Sequence, residues 1–317
     1  MILRLATQAM GTRFELVLPA RDTGGDAVRL RAAGEEALAE IDEVDRRLSL
    51  FRRDSLLAHV NRSASSRPVR LDSDTFELLR LCEHVHRASG GAFDPTIAPL
   101  MRAHGLHDGS SPVPLLEPRE ARGHVGWGSV LLDSAGPSVR FARPTWIDLG
   151  GVAKGHGLDL AARALVEAGV ERALLHGGTS TVLALGAPPD EEAWTVAVGS
   201  GSEAPLAHLR DACLSVSAPN GREVLVDGRR ITHVLDPLSG APANRGVRTA
   251  AVAAPRSCGA ALTDAWSTAL LVVGEELRPL AELETLYASG SETEPIWNHD
   301  APAEPRFARI PCSIPGP

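Results

Sequence analysis

Residues 146–159 read WIDLGGVAKGHGLD and hold Lys154, the single lysine in a chain with 32 Lys and Arg residues. Lysine ends in a compact ammonium with three rotating donors, whereas arginine ends in a planar fork. A crowded phosphate site would select the point charge. A compositional drift toward arginine that spared one lysine would leave the same pattern. Two glycines between an apolar stretch and a helix start bring unpaired amides and the positive end of a helix dipole to one point, which suits an anion. A tight strand-to-helix turn uses the same residues. Neither GxxxxGK[ST] nor GxGxxG fits the segment, so it is not a Walker or a Rossmann fingerprint.

A second chemical pair lies in LTDAWSTALLV, where Asp264 and Thr268 stand four apart and share a face of a predicted helix. Carboxylate and hydroxyl oxygens suit Mg²⁺, which takes one or two protein carboxylates and completes its shell with water and substrate phosphate. A solvated aspartate beside a threonine bonded back to its own helix has the same spacing. In THVLDPLSGAP, His233 and Asp236 flank a strand end before a turn. That histidine can serve as a base near neutral pH or as a structural group.

The elements that must position these residues alternate. Strands are expected over 2–6 and 12–18 and an amphipathic helix over 25–48, on which Ala33, Leu38, Ile41, Val44 and Leu48 keep helical spacing. A second helix is expected over 74–88, followed by the interruption GGAFDPTIAPL and a polar stretch with short strands over 106–145. PTWIDLG reads as a short strand leading through Gly150 and Gly151 into a helix that Gly169 closes. RALLHGG, STVLALG, EAWTVAVGS, 212–217, 222–226 and 229–235 read as further strands, and the last helix spans 259–273. Hairpin-length connections predict a largely antiparallel sheet and an α+β fold. Residues 289–317, rich in Pro, Ser and Glu, read as a loose tail behind a domain over 1–288.

Composition narrows the partners. The chain has 317 residues, 44% of them hydrophobic, and a net charge of −8 with no long basic run. A nucleic-acid or anionic-membrane surface is therefore not expected, and a small-molecule partner is. No apolar run approaches the ~18 residues of a membrane span. The four cysteines, Cys82, Cys213, Cys258 and Cys312, are widely spaced without a CxxC pair and read as reduced thiols.

Taken in order, MGTRFEL, SLFRRDSLLAHVN, GGAFDPTIAPL, IDLGGVAKGHGLD, HGGTSTVLALG, THVLDPLSG and LTDAWSTAL resemble the ApbE family of FAD:protein FMN transferases, from about residue 8 to residue 275. The resemblance implies a T-fold-related, two-part α+β fold, with lobes over roughly 1–140 and 141–288 and FAD in a cleft. It also implies Mg²⁺ on the FAD pyrophosphate and transfer of FMN to a Ser or Thr hydroxyl of an acceptor protein, with AMP released. By matching motifs, Gly151, Asp264 and Thr268 hold the metal, and Asp264 and His233 are the catalytic pair, His233 as base. Met10, Phe51, Asn61, Ala92, Phe93, Asp94, Asp148, Lys154, Asp159 and Val234 contact FAD.

Two departures stand out. Phe51 occupies a position where family members commonly carry Tyr, and SVSAPNGRE, with Pro219 and Asn220, replaces a Ser-Gly-Asp-Tyr-like turn. Hydrolysis of FAD to FMN and AMP in the same site, and flavin binding without turnover, remain as alternative activities. The resemblance leaves a monomer or a homodimer open. The opening strand pattern shows no secretion signal, so a cytoplasmic enzyme is expected, or an exported one if the true start lies upstream of Met1.

Overall fold

Apolar and polar residues alternate through ILRLATQA and TRFELVLP, and these segments form β1 (Ile2–Ala9) and β2 (Thr12–Pro19). Their hairpin turns at Met10 and Gly11, both at positive φ, the two-residue geometry that matches strand twist. A methionine at φ +50 is strained, and Asp45 Oδ1 holds its amide at 2.9 Å. The structure, a computed structural model, describes residues 1–20, 24–107, 111–199, 204–219, 223–226, 229–243, 247–274, 284–289 and 296–297.

After the hairpin come α1 (Gly24–Leu48), α2 (Leu56–Ser63), β3 (Val69–Arg70), α3 (Ser73–Ala88), α4 (Ala98–Ala103), α5 (Pro118–Arg122), β4 (Val130–Asp133) and β5 (Ser138–Phe141). The second half holds α6 (Ala153–Glu167), β6 (Ala173–Gly177), β7 (Thr181–Leu185), β8 (Trp194–Ala197), β9 (Leu206–Leu209), β10 (Ala212–Ser217), β11 (Glu223–Val226) and β12 (Arg229–Thr232). The chain continues through β13 (Val247–Pro255), α7 (Ala260–Val273), β14 (Glu284–Ser289) and β15 (Ile296–Trp297).

One antiparallel sheet carries the order β1-β2-β6-β7-β10-β13-β14-β15. The β2–β6 pairing, Phe14 opposite Gly177 to Val17 opposite Leu174, draws the N-terminal hairpin into the sheet of the second half. The sheet thus runs across the expected lobe boundary at 140. Phe14, Leu16 and Leu18 point to one face, where they meet Ala37, Ile41, Leu158 and Leu165 of α1 and α6. Further along that sheet, Ala250 and Val252 of β13 lie under Ala265, Ala269 and Leu270 of α7. The β8–β9 hairpin covers part of the other face through Trp194 and Leu209. A small sheet, β3-β5-β4, stands apart from the large one.

Three expectations change. Residues 145–149 enter no strand: the Asn61 carboxamide brackets Ile147, donating to its carbonyl at 2.9 Å and accepting from its amide at 2.8 Å. The Asp148 amide donates to Pro95 O at 2.7 Å, so local bonds replace a ladder. Cys82 and Cys213 are free and buried, but Cys258 is disulfide-bonded rather than reduced. Of the expected tail, Ser289 closes β14 and residues 296–297 form β15, while 290–295 and 298–317 lie outside the described residues.

Candidate active site

Helices α6 and α7 cross at the closest approach their backbones allow. A side-chain carbon at Gly155 would lie 2.2 Å from the Ala260 carbonyl oxygen, so only glycine admits this crossing. Asp264 reaches from α7 to the start of α6. Its Oδ2 accepts from the Gly155 amide at 3.1 Å, and its Oδ1 accepts from the Thr181 hydroxyl of β7 at 3.3 Å. The Lys154 ammonium lies 3.4 and 3.5 Å from the two oxygens. Burial raises the Asp264 carboxyl above its ordinary range, while the Lys154 charge and the Gly155 amide oppose that rise.

Gly151 and Thr268 meet beside this carboxylate. A side-chain carbon at Gly151 would stand 3.5 Å from Thr268 Oγ1 and 3.3 Å from the Phe93 ring, so the Gly151 backbone faces both. Ser217 joins the hydroxyls, 2.8 Å from Ser267 Oγ and 3.5 Å from Thr268 Oγ1. A buried carboxylate that already draws a cation, beside a hydroxyl and a glycine backbone, fits a hard dication that keeps water and phosphate in its shell. Among the described residues, no group of three or more His, Cys, Asp or Glu is placed to hold a metal, so the donor set does not resemble a zinc site.

Several expected flavin contacts have visible positioning roles. Asp148 accepts from the Gly150 amide at 2.8 Å and pairs with His107 Nε2 at 3.0 Å; the half-exposed Phe51 ring stands edge-on to that histidine. Asp94 accepts from the amide and hydroxyl of Thr96 and from the Trp127 amide, which shapes the loop presenting the buried Ala92 and Phe93. Met10 packs its methyl over Gly157 of α6. Asp159 places both oxygens on α7, accepting from Ala260 N at 2.6 Å and Ala261 N at 2.9 Å. His233 is half-buried after β12, and Val234 joins the core of Phe93 and Val152. Within SVSAPNGRE, Pro219 lies among the described residues and Glu223 opens β11, while Asn220 lies outside them.

Thr181, Ser217 and His107 join this constellation although their sequence context singles none of them out. Thr181 meets Asp264 across 83 positions, and only folding reveals that pair. The run of three hydroxyl residues after the paired glycines in HGGTST, which Thr181 closes, was the available signal for it.

Beside Gly155, His156 is buried among Asp74, Asp72, Arg163 and Arg47, and burial lowers its pKa to about 4. Between pH 6.5 and 4 the unfolded chain binds a proton there that the folded chain refuses, so stability falls as pH falls through that window. The expected loss from this residue is about 2 kcal/mol at pH 5 relative to pH 8. His156→Leu should flatten the acid limb by that amount in denaturant titrations at both pH values. Parallel curves for the two proteins would refute the assignment.

The ApbE family model matches residues 10–288. The FAD:protein FMN transferase of Treponema pallidum is 30% identical over 270 residues, covering 79% of this chain and 74% of that protein. The FAD:protein FMN transferase of Chlamydia trachomatis is 28% identical, covering 80% and 81%. Among solved structures, the ApbE protein of Thermotoga maritima is 26% identical with a TM-score of 0.79, covering 91% and 94%. The flavin transferase ApbE of Vibrio cholerae, 22% identical, shares the fold at a TM-score of 0.78, covering 94% and 97%.

Proposed function

Because this chain belongs to the ApbE family, we propose that it transfers FMN from FAD to a Ser or Thr hydroxyl of an acceptor protein, releasing AMP. The acceptor oxygen attacks the phosphorus on the FMN side, a P–O bond forms there, and the P–O bond to AMP breaks. The hydroxyl proton passes to a base, for which His233 is the candidate. Such transfers ask the protein chiefly to position the reactants and to neutralise charge.

Lys154 supplies a point charge at the start of α6, where the Gly155 amide already donates to the Asp264 carboxylate. Asp264, Thr268 and the Gly151 carbonyl are the groups that would hold Mg²⁺. When bound, that ion would neutralise pyrophosphate charge and ease departure of the AMP oxygen. Phe51 would offer an aromatic face to the flavin, and Asp148, tied to His107 and Gly150, holds the glycine turn.

One observation carries the reading: a buried carboxylate, an ammonium, a helix-start amide and a hydroxyl facing a glycine backbone stand together at one helix crossing. The test incubates the protein with FAD, Mg²⁺ and a candidate Ser/Thr acceptor and weighs the acceptor. A gain equal to FMN, with AMP released in equal amount, is expected. Free FMN with AMP and an unmodified acceptor would replace transfer with hydrolysis, and intact FAD would leave binding alone.

A further inference from the structure

We propose that Asp159 is a positioning residue of the Asp264–Thr268 metal site, acting through the start of α7; this rests on the metal-site reading above. Helix starts leave amides without partners. Neither α6 nor α7 caps its own start with a side chain, because the capping positions are Val152 and Gly259. Each helix instead takes a carboxylate from the other. Asp264 of α7 accepts from Gly155 in the first turn of α6, and Asp159 of α6 accepts from Ala260 and Ala261, the first two residues of α7.

The exchange fixes the relative slide of the two helices, with the Gly155–Ala260 contact at its centre. Asp264 lies one turn beyond the Asp159 clamp and Thr268 two turns beyond it, so the clamp sets where both stand against Gly151. Gly259, at φ +87, completes the device: a side-chain carbon there would come 3.1 Å from Asp159 Oδ2. Asp159 itself is only partly buried, yet its carboxyl is desolvated enough for its pKa to rise to about 6, against the amides of Ala261 and Ala260.

Asp159→Asn keeps the shape but turns one acceptor into a donor that faces an amide. Mg²⁺ demands near-ideal geometry, whereas Ca²⁺ tolerates irregular shells. Calorimetric titration of the purified protein with Mg²⁺ alone and Ca²⁺ alone should show Mg²⁺ affinity falling about tenfold or more in Asp159→Asn and Ca²⁺ affinity by less than about threefold. Cooperative thermal unfolding above the assay temperature establishes that the variant is folded. If it is not, Asp159→Ser, which keeps one acceptor and adds no opposing amide, is measured in its place against the same criterion.

An unchanged Mg²⁺/Ca²⁺ affinity ratio in the folded variant overturns the positioning role. Asp264→Ala is the control that separates the two levels. If wild type fails to bind Mg²⁺, or Asp264→Ala binds it as wild type does, the metal site itself is misplaced and the role of Asp159 falls with it.

Discussion

Asp264→Ala is expected to cut Mg²⁺-dependent AMP release from FAD by at least about a hundredfold, because it removes the one carboxylate of the proposed metal site and the partner of Lys154. Asp264 is not a helix-surface residue of little structural weight: its side chain is 4% exposed and its oxygens collect Gly155, Thr181 and Lys154. Truncation therefore also leaves a buried amide and hydroxyl without their acceptor, and a loss of about 1–3 kcal/mol in stability should accompany the loss of activity. The fold should survive, since the Lys154 side chain is 21% exposed and can reach water. Asp264→Asn separates the two effects. It keeps an acceptor for part of the network and so restores stability, but it lacks the charge and should stay inactive. AMP assayed with and without Mg²⁺, beside denaturant unfolding, checks both parts. Normal metal-dependent turnover in either variant would remove Asp264 from the proposed site.

The parts of this site that follow local rules were legible in the sequence. Asp264 and Thr268 share a face of α7 because four residues make about one helical turn. Gly150 and Gly151 before a helical run marked the turn into α6, and Lys154 stood out by composition. What could not be read was the pairing of these pieces. Lys154 and Asp264 are 110 positions apart, and their contact depends on Gly155 letting two backbones touch. Spacing shows that a glycine is present but not which backbone it admits.

The errors in the fold have similar causes. PTWIDLG has the apolar pattern of a strand, but Asn61 takes both backbone groups of Ile147, leaving that residue none for a ladder. Conversely, VRTAAVAAP carries five residues in nine that are alanine or proline, with little strand propensity of their own, and yet forms β13 between β10 and β14. Small residues are what that place requires, because Ala250 and Val252 lie directly under α7. Tertiary packing overrides propensity there. Asn61, Asp94 and Asp159 each matched a family motif, and the structure ties each to the backbone of a segment distant in sequence.

Lys154→Met is expected to lower FAD affinity or turnover by about tenfold or more, the equivalent of losing one charge-assisted hydrogen bond of about 1.5–3 kcal/mol. A lysine in the first turn of a helix is poorly placed with respect to the dipole, which favours anions there. Lys154 is the second residue of α6, so something outside the helix must hold its charge. Asp264 does so in the structure, and the flavin pyrophosphate would be the second anion in reach. Lys154→Arg decides whether the point charge itself matters. Its planar fork must fit beside Gly155, where α6 and α7 leave no room for even a methyl group, and must still face both oxygens of a carboxylate that Thr181 and Gly155 hold in place. Partial rescue is therefore expected: FAD binding nearer to wild type than in Lys154→Met, with AMP release still reduced. Measuring both variants for FAD affinity and AMP release gives the answer. A fully active Lys154→Arg enzyme would show that any cation serves at the start of α6, and that the single lysine reflects composition rather than the geometry of the crossing.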